Sequence, residues 1–188
     1  MNSIGNYIEK RLKLKVNRDK SQVAHCSEVK FLGMTIIDGT IAIAWKSMNR
    51  AMQMVKELTP RGTHLNLEQT MERINRWYRG WANYFAMTQY PAQLKRIEAH
   101  IRRRLRSRLV DQQKSRRNLC RKLIKRGISR PVAKMTAYSH RKRWALSGTM
   151  TLARAYPVEF FIHTLGQHIH SNRCHAHWFE VNRWIKLA

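Results

Sequence analysis

Acidic residues are scarce in this chain. Its 188 residues include 11 Asp and Glu against 37 Lys and Arg, so the formal net charge is +26 with histidine neutral. Since 43% of the residues are hydrophobic, the composition is not that of a wholly disordered chain. It predicts one or two small basic domains. Nucleic acid is the expected partner, because cationic side chains release counterions from phosphates.

Long hydrophobic runs, a secretory signal and paired cysteines are also missing. The longest apolar stretch, residues 36–45, is far shorter than the ~20 residues of a membrane span and is interrupted at Asp38–Gly39. The N-terminus becomes charged at residues 9–11 without a hydrophobic region before them. We therefore expect a cytoplasmic protein without membrane contact. Three widely spaced cysteines are expected to be reduced: Cys26, Cys120 and Cys174.

Apolar periodicity predicts a mainly α-helical fold that follows a small β-hairpin. After a helix over residues 3–14, β-branched and aromatic residues between 22 and 45 indicate short strands with a tight turn at Asp38–Gly39. Three antiparallel helices follow from residue 47 onward, and Asn66 with Gln69 has the pattern of a capping box.

Shorter helices are expected after Leu109. One covers residues 114–126 and ends at Gly127, a second covers residues 131–138, and a third is capped by Ser147 and is ended or kinked by Pro157.

Positive charge is concentrated in the second half of the chain. Residues 95–143 contain 19 Lys and Arg against two acids, a net charge of +17 in 49 residues. A helix face with this charge and few acids repels itself, which favours phosphate contact over simple solvation. Most of the arginines between 102 and 108 are expected to point away from the core. The candidate nucleic-acid contacts are Arg73, Arg76, Arg79, Asn83, Arg102, Arg103, Arg104, Arg106, Arg108, Lys114, Arg116, Arg117, Arg121, Lys122, Lys125 and Arg126.

The helix beginning near Asn66 is rich in aromatic residues. Tyr78, Trp81 and Phe85 fall at core spacing, whereas Trp77 and Tyr84 suit either the core edge or base stacking. Gly80 lies in the middle of this helix and costs about 1 kcal/mol relative to Ala. We therefore expect another element, or nucleic acid, to approach closely there.

No catalytic or metal centre is predicted. Two-metal nucleotidyl transfer needs clustered carboxylates, and the closest acidic pair, Glu68 and Glu72, is better explained by an ion pair between Glu72 and Arg76. The ligand types of the C-terminal histidine-rich segment suit zinc, but their spacing matches no familiar site. Its members are His163, His168, His170, Cys174, His175 and His177.

Several segments together resemble the C-terminal part of a bacterial group II intron-encoded reverse transcriptase and maturase, over residues 5–167. The most specific is R-G-W-A-N-Y-F at residues 79–85, followed by the arginine-rich I-R-R-R-L at residues 101–105. The others are residues 12–21, 31–34, and the stretch from Gly127 through Ala137 to Gly166.

The resemblance implies a division of the chain and a role for each part. Residues 1–46 would be a remnant of the polymerase palm with a primer-grip-like turn, 47–110 the helical thumb or maturase X domain, and 111–167 its helical extension. Residues 168–188 are unassigned, and no zinc-type endonuclease pattern follows there. The primer-grip-like residues are Phe31, Leu32, Gly33 and Met34.

The same resemblance implies that structured intron RNA is the partner and that splicing chemistry belongs to the RNA. The family's paired catalytic aspartates would lie upstream of Leu12, so we expect a fragment without reverse transcription of its own. No cofactor is assigned to this chain, because Mg²⁺ would belong to the missing palm and to the RNA. Open alternatives are a polymerase subunit completed by a separate chain, with a primer–template duplex as partner, and a degenerate remnant whose residues 1–45 are disordered.

Overall fold

Two tight turns shape the small sheet at the start of the fold. The structure is a computed structural model and describes residues 2–17, 24–25 and 28–165. Helix α1 spans Asn2–Arg11, and the antiparallel sheet has the order β1-β2-β3, with strands Lys30–Phe31, Met34–Ile37 and Thr40–Ile43. Residues Leu32 and Gly33 (φ 50° and 78°) and Asp38 and Gly39 (φ 48° and 74°) have the positive φ values of type I′ hairpin turns. The predicted turn at Asp38–Gly39 is confirmed, whereas the strand expected near residues 22–26 lies mostly outside the described residues.

The sheet is joined to the helices by two glutamine side chains. Gln93 pairs with the backbone of Ile43 in both directions, accepting from its N–H at 2.8 Å and donating to its carbonyl at 2.9 Å. Gln89 pairs with Ile41 in a similar way: its side-chain oxygen accepts from the Ile41 N–H at 2.8 Å, and its backbone N–H donates to the Ile41 carbonyl at 2.9 Å. The sheet and the helical part of the chain are therefore packed together.

Three long helices follow the sheet, and the predicted mainly helical fold is confirmed. They are α2 (Trp45–Leu58), α3 (Leu67–Tyr84) and α4 (Pro91–Asp111), and α2 packs against both of the others. The capping box of α3 is present, with the Asn66 side chain accepting from the Gln69 backbone and the Gln69 side chain accepting from the Asn66 N–H. Their apolar stripes meet in one core, which includes Met48, Val55, Met71, Ile74, Tyr78, Phe85, Leu94, Ile97, Ile101 and Leu105.

Five shorter helices complete the described fold. They are α5 (Arg116–Lys125), α6 (Arg130–Ala137), α7 (Arg143–Ser147), α8 (Met150–Ala155) and α9 (Val158–Leu165). Gly127 ends the α5 segment with φ 81°, as predicted. The expectation that Ser147 caps a helix is wrong: Ser147 is the last residue of α7 and its hydroxyl donates to the Trp144 carbonyl at 2.7 Å. The N-cap of α8 is Thr149, whose side chain accepts from the Leu152 N–H.

Candidate nucleic-acid interface

The arginines of α4 do not form the free outer face that the sequence suggested. Helix α4 contacts α2 and α7, and the five arginines between residues 102 and 108 are all half-buried. Each residue advances about 100° around a helix, so five arginines within seven positions point in several directions. Where a helix has neighbours on more than one side, some of these side chains must meet protein instead of solvent.

Arg104 and Arg108 hold the connection between α2 and α3. The Nε of Arg104 donates to the Thr59 hydroxyl at 2.8 Å, and its Nη2 donates to the carbonyls of Thr59 at 2.7 Å and Lys56 at 3.3 Å. These carbonyls belong to the end of α2, where helical carbonyls lack intrahelical partners. Arg108 donates to the Leu65 carbonyl and to the Thr70 hydroxyl at the start of α3.

Arg103 and Arg106 hold the C-terminal helices against α4. The guanidinium carbon of Arg103 lies 4.3 Å from the centroid of the Trp144 ring, a cation–π distance. Gly148 packs closely against the same guanidinium, and a Cβ at this position would lie only 3.0 Å from the Arg103 Nη2. Arg106 donates through Nε to the Tyr156 carbonyl at 3.1 Å. Both guanidinium groups therefore pack against the C-terminal helices of their own chain.

Arg102 belongs to a buried polar group. Glu98 is only 2% exposed, accepts from the Tyr78 hydroxyl at 2.9 Å and lies 3.6 Å from the Nη1 of Arg102. Burial raises the pKa of Glu98, while the hydrogen bond from Tyr78 and the charge of Arg102 act in the opposite direction. The arginine-rich motif at residues 101–105 therefore combines core packing with internal polar contacts.

The outer face of α3 is open. Arg73, Arg76, Arg79 and Asn83 are all exposed, as the sequence predicted, and Arg76 makes the expected ion pair with Glu72 at 3.3 Å on the surface. The expectation that another protein element packs closely on Gly80 is wrong within the described structure, where a Cβ at Gly80 would meet no atom within 4 Å. Gly80 is therefore exposed on the same helix as these residues.

The aromatic residues of α3 divide between core and surface. Trp77 is half-buried and stacks on Trp81 with ring centroids 6.0 Å apart, which places it at the core edge. Tyr84 is 54% exposed, and its hydroxyl donates to the Leu32 carbonyl at 3.0 Å. Tyr84 therefore lies on the surface between the outer face of α3 and the first hairpin turn.

A second basic surface follows α4, and it contains no acidic residue from 112 to 130. Of the predicted contacts in this region, Lys122 is half-buried and the others are exposed: Lys114, Arg116, Arg117, Arg121, Lys125 and Arg126. Arg126 also stacks on Phe160, with its guanidinium carbon 4.3 Å from the ring centroid. We use the name basic surface for the six exposed cations of this region, which we call the α5 cations, together with the four exposed α3 residues Arg73, Arg76, Arg79 and Asn83.

The first hairpin turn presents apolar side chains to solvent. Phe31 and Leu32 are 70% and 64% exposed, whereas Met34 is buried. Gly33 fixes the turn, because its carbonyl accepts from the Ser47 hydroxyl and the Ala44 N–H, both at 2.9 Å. A cavity of about 260 Å³ lies beside the turn, lined in part by Phe31, Leu32, Met34 and Tyr84.

Sequence reasoning missed a pair of exposed residues on another side of the sheet. Trp45 and Arg96 are 51 positions apart, yet the guanidinium carbon of Arg96 lies 5.5 Å from the Trp45 ring centroid. No spacing or composition signal links the two residues, because the start of α2 and the first turns of α4 meet only in the folded chain.

The part of the chain that the structure describes contains no group of three or more His, Cys, Asp or Glu side chains arranged to hold a metal ion. Most of the histidine-rich segment, residues 168–177, lies outside the described residues, as do Cys26 and Cys174. Cys120 is a free thiol. Of the helices described, none is long and apolar enough to cross a membrane.

A small sheet, a helical bundle and a surface of exposed cations with few acidic partners define a strongly basic helical domain suited to a polyanion. Residues 48–127 match the family model of the group II intron maturase-specific domain. This segment is therefore similar to the maturase-specific domain, and the resemblance inferred from the sequence is confirmed for residues 48–127. No curated protein gave a significant match. The matched segment runs from α2 to the glycine after α5, so it includes the basic surface and the α4 arginines.

Proposed function

We propose that this protein binds structured intron RNA through the basic surface and assists the splicing or mobility of that RNA. The observation that carries the proposal is the exposure of these cations on a maturase-specific domain. Phosphate recognition favours arginine because its planar guanidinium offers paired donors and stays protonated. In this proposal the RNA and its Mg²⁺ ions supply the splicing chemistry, and the protein holds the RNA fold without a cofactor of its own.

The α4 arginines have a different part in this proposal. Since Arg103, Arg104, Arg106 and Arg108 donate to backbone or hydroxyl oxygens of their own chain, they hold α4 to the α2–α3 connection and to the C-terminal helices. Because the helices are already in place, an RNA that binds the cations has to order only their side chains and not the backbone that carries them. The cations of α3 and α5 would then supply the phosphate contacts themselves.

Binding to the cognate intron RNA, compared with a scrambled RNA of equal length, tests this function. We expect tighter binding to the folded intron and an affinity that falls steeply with salt, because each phosphate contact releases counterions. Replacing Arg73 and Arg79 by Gln should weaken binding and reduce the salt slope by roughly 1 per lost contact. Equal affinity for the two RNAs would leave only nonspecific charge attraction and refute a maturase role.

A second candidate function is that of a subunit in an RNA-directed DNA polymerase, completed by a separate chain and holding a primer–template duplex. The exposed Phe31 and Leu32 beside the cavity favour it, because neighbouring apolar side chains exposed at a fixed turn can contact a partner. A primer-extension assay tests it, with and without the candidate catalytic chain. We expect no cDNA from this protein alone, and synthesis only after the second chain is added.

A further inference from the structure

A cleft of about 540 Å³ lies where the sheet meets the first residues of α2 and α4. Its walls include the exposed indole of Trp45, and its floor includes Ile43 and Met48, which are both buried. Trp45 is 63% exposed, although the residues before it, Ile43 and Ala44, are buried. The cleft lies apart from the α3 and α5 residues of the basic surface.

The position of Trp45 is firmly held. The preceding residue, Ala44, donates its N–H to the Gly33 carbonyl at 2.9 Å, and Ile43 is paired through its backbone with the Gln93 side chain. The guanidinium of Arg96 lies against the indole, 5.5 Å from the ring centroid. An aromatic side chain held in this way loses little freedom when a ligand stacks on it.

The charges around the indole are all of one sign. Three exposed cations line the cleft, namely Lys30 from β1, Lys46 from α2 and Arg96 from α4, and the described lining residues include no carboxylate. Without anionic neighbours these cations repel one another, and an anionic ligand would relieve that repulsion. The ligand that fits is therefore both planar and anionic.

We propose that this cleft binds an unpaired nucleotide of RNA, with its base stacked on Trp45 and its flanking phosphates held by Lys46 and Arg96. The proposal rests on the RNA-binding function proposed above and extends it to single-stranded segments. Bases in a duplex hide their faces in the helical stack, whereas an unpaired base offers a π-face that stacks on an aromatic side chain regardless of sequence. Loops or single-stranded ends of the intron RNA are the matching class of ligand.

The experiment compares four variants of the full chain, binding a hexa-adenylate RNA and a ribose-phosphate hexamer that lacks bases. Trp45→Ala should bind hexa-adenylate about 10-fold more weakly than the wild type, because base–aromatic stacking is lost. Trp45→Phe should stay within about 3-fold of the wild type, because a phenyl ring still stacks. Binding of the base-free hexamer should not depend on Trp45.

A matched pair of lysine variants separates local contact from total charge. Lys46→Gln and Lys56→Gln each remove one exposed cation from α2, but only Lys46 lines the cleft. We expect Lys46→Gln to weaken hexa-adenylate binding by roughly 3-fold or more, and Lys56→Gln to change it by less than about 2-fold. Thermal unfolding of each variant verifies that it remains folded.

Fluorine NMR of protein labelled with 5-fluorotryptophan reports on the indole directly. Trp45→Phe identifies the Trp45 resonance, which should shift on addition of hexa-adenylate and stay in place with the base-free hexamer. If Trp45→Ala binds hexa-adenylate as well as the wild type and the resonance does not move, the cleft assignment is wrong while intron binding stands. If the wild type binds neither hexa-adenylate nor intron RNA, both proposals fall.

Discussion

Replacing Arg104 by Ala tests whether the α4 arginines stabilise the fold. The guanidinium donates three hydrogen bonds to oxygens at the end of α2, and Thr59, which supplies two of these acceptors, is only 5% exposed. A hydrogen bond to a charged group contributes about 1.5–3 kcal/mol when buried. Because Arg104 is half-buried and one side chain makes all three bonds, we expect a total loss of about 2 kcal/mol in the free energy of unfolding.

Urea and thermal unfolding followed by circular dichroism measure this loss. The melting temperature should fall by roughly 4–8 °C, since about 1 kcal/mol corresponds to 2–4 °C in a chain of this size. The control is Arg79→Ala on the open face of α3, which removes the same charge and should change stability by no more than about 0.5 kcal/mol. Equal stability of the two variants would refute the assignment of the α4 arginines to the fold.

Four further substitutions test other parts of the structure. Burial raises the pKa of Glu98, so the folded state holds its proton more tightly than the unfolded state, and stability falls as pH rises above the ordinary value of 4.5. Relative to the wild type, Glu98→Gln should therefore gain stability between pH 4.5 and pH 7 in urea titrations, and a pH-independent difference would contradict this. Gly33 has a positive φ, and a Cβ at this position would lie 2.7 Å from the Ser47 hydroxyl oxygen. Gly39 has a similar φ but open space around it. Thermal unfolding should therefore show a larger loss of stability for Gly33→Ala than for Gly39→Ala. We expect about 1 kcal/mol for Gly39→Ala and at least about 2 for Gly33→Ala, and equal losses would argue against close packing of the first turn. Gly80→Ala should stabilise the protein by about 0.5–1 kcal/mol, because the site is helical and open, and a loss would show that something occupies that space.

Local signals in the sequence predicted much of the fold. The capping box at Asn66, the turn at Asp38–Gly39 and the helix end at Gly127 depend on a few neighbouring residues, and all three are present. The predicted N-cap of α8 is wrong because Ser147 and Thr149 both carry hydroxyls of the kind that cap helices. The Ser147 hydroxyl donates to the carbonyl three residues before it, and the Thr149 side chain accepts from the Leu152 N–H instead.

The candidate site was harder to predict, because exposure depends on neighbours distant in sequence. Arg79 and Arg104 look equally basic in the sequence, but one lies on an open helix face and the other reaches Thr59, 45 positions earlier. The contact between Trp45 and Arg96 could not be predicted from the sequence for the same reason. The excess of Lys and Arg predicts a polyanionic partner, whereas tertiary packing decides which of these cations remain exposed.

The glutamine contacts on β3 also bear on how this protein behaves at high concentration. A strand at the edge of a sheet normally offers unpaired N–H and C=O groups to any other strand, which invites aggregation. Here Gln89 and Gln93 occupy those groups on Ile41 and Ile43, so β3 is closed to a strand from a second molecule. Within the described sheet, β1 is the other edge, and its two residues offer only a short template. An elongated sheet that joins several copies of this chain would therefore have to begin at β1.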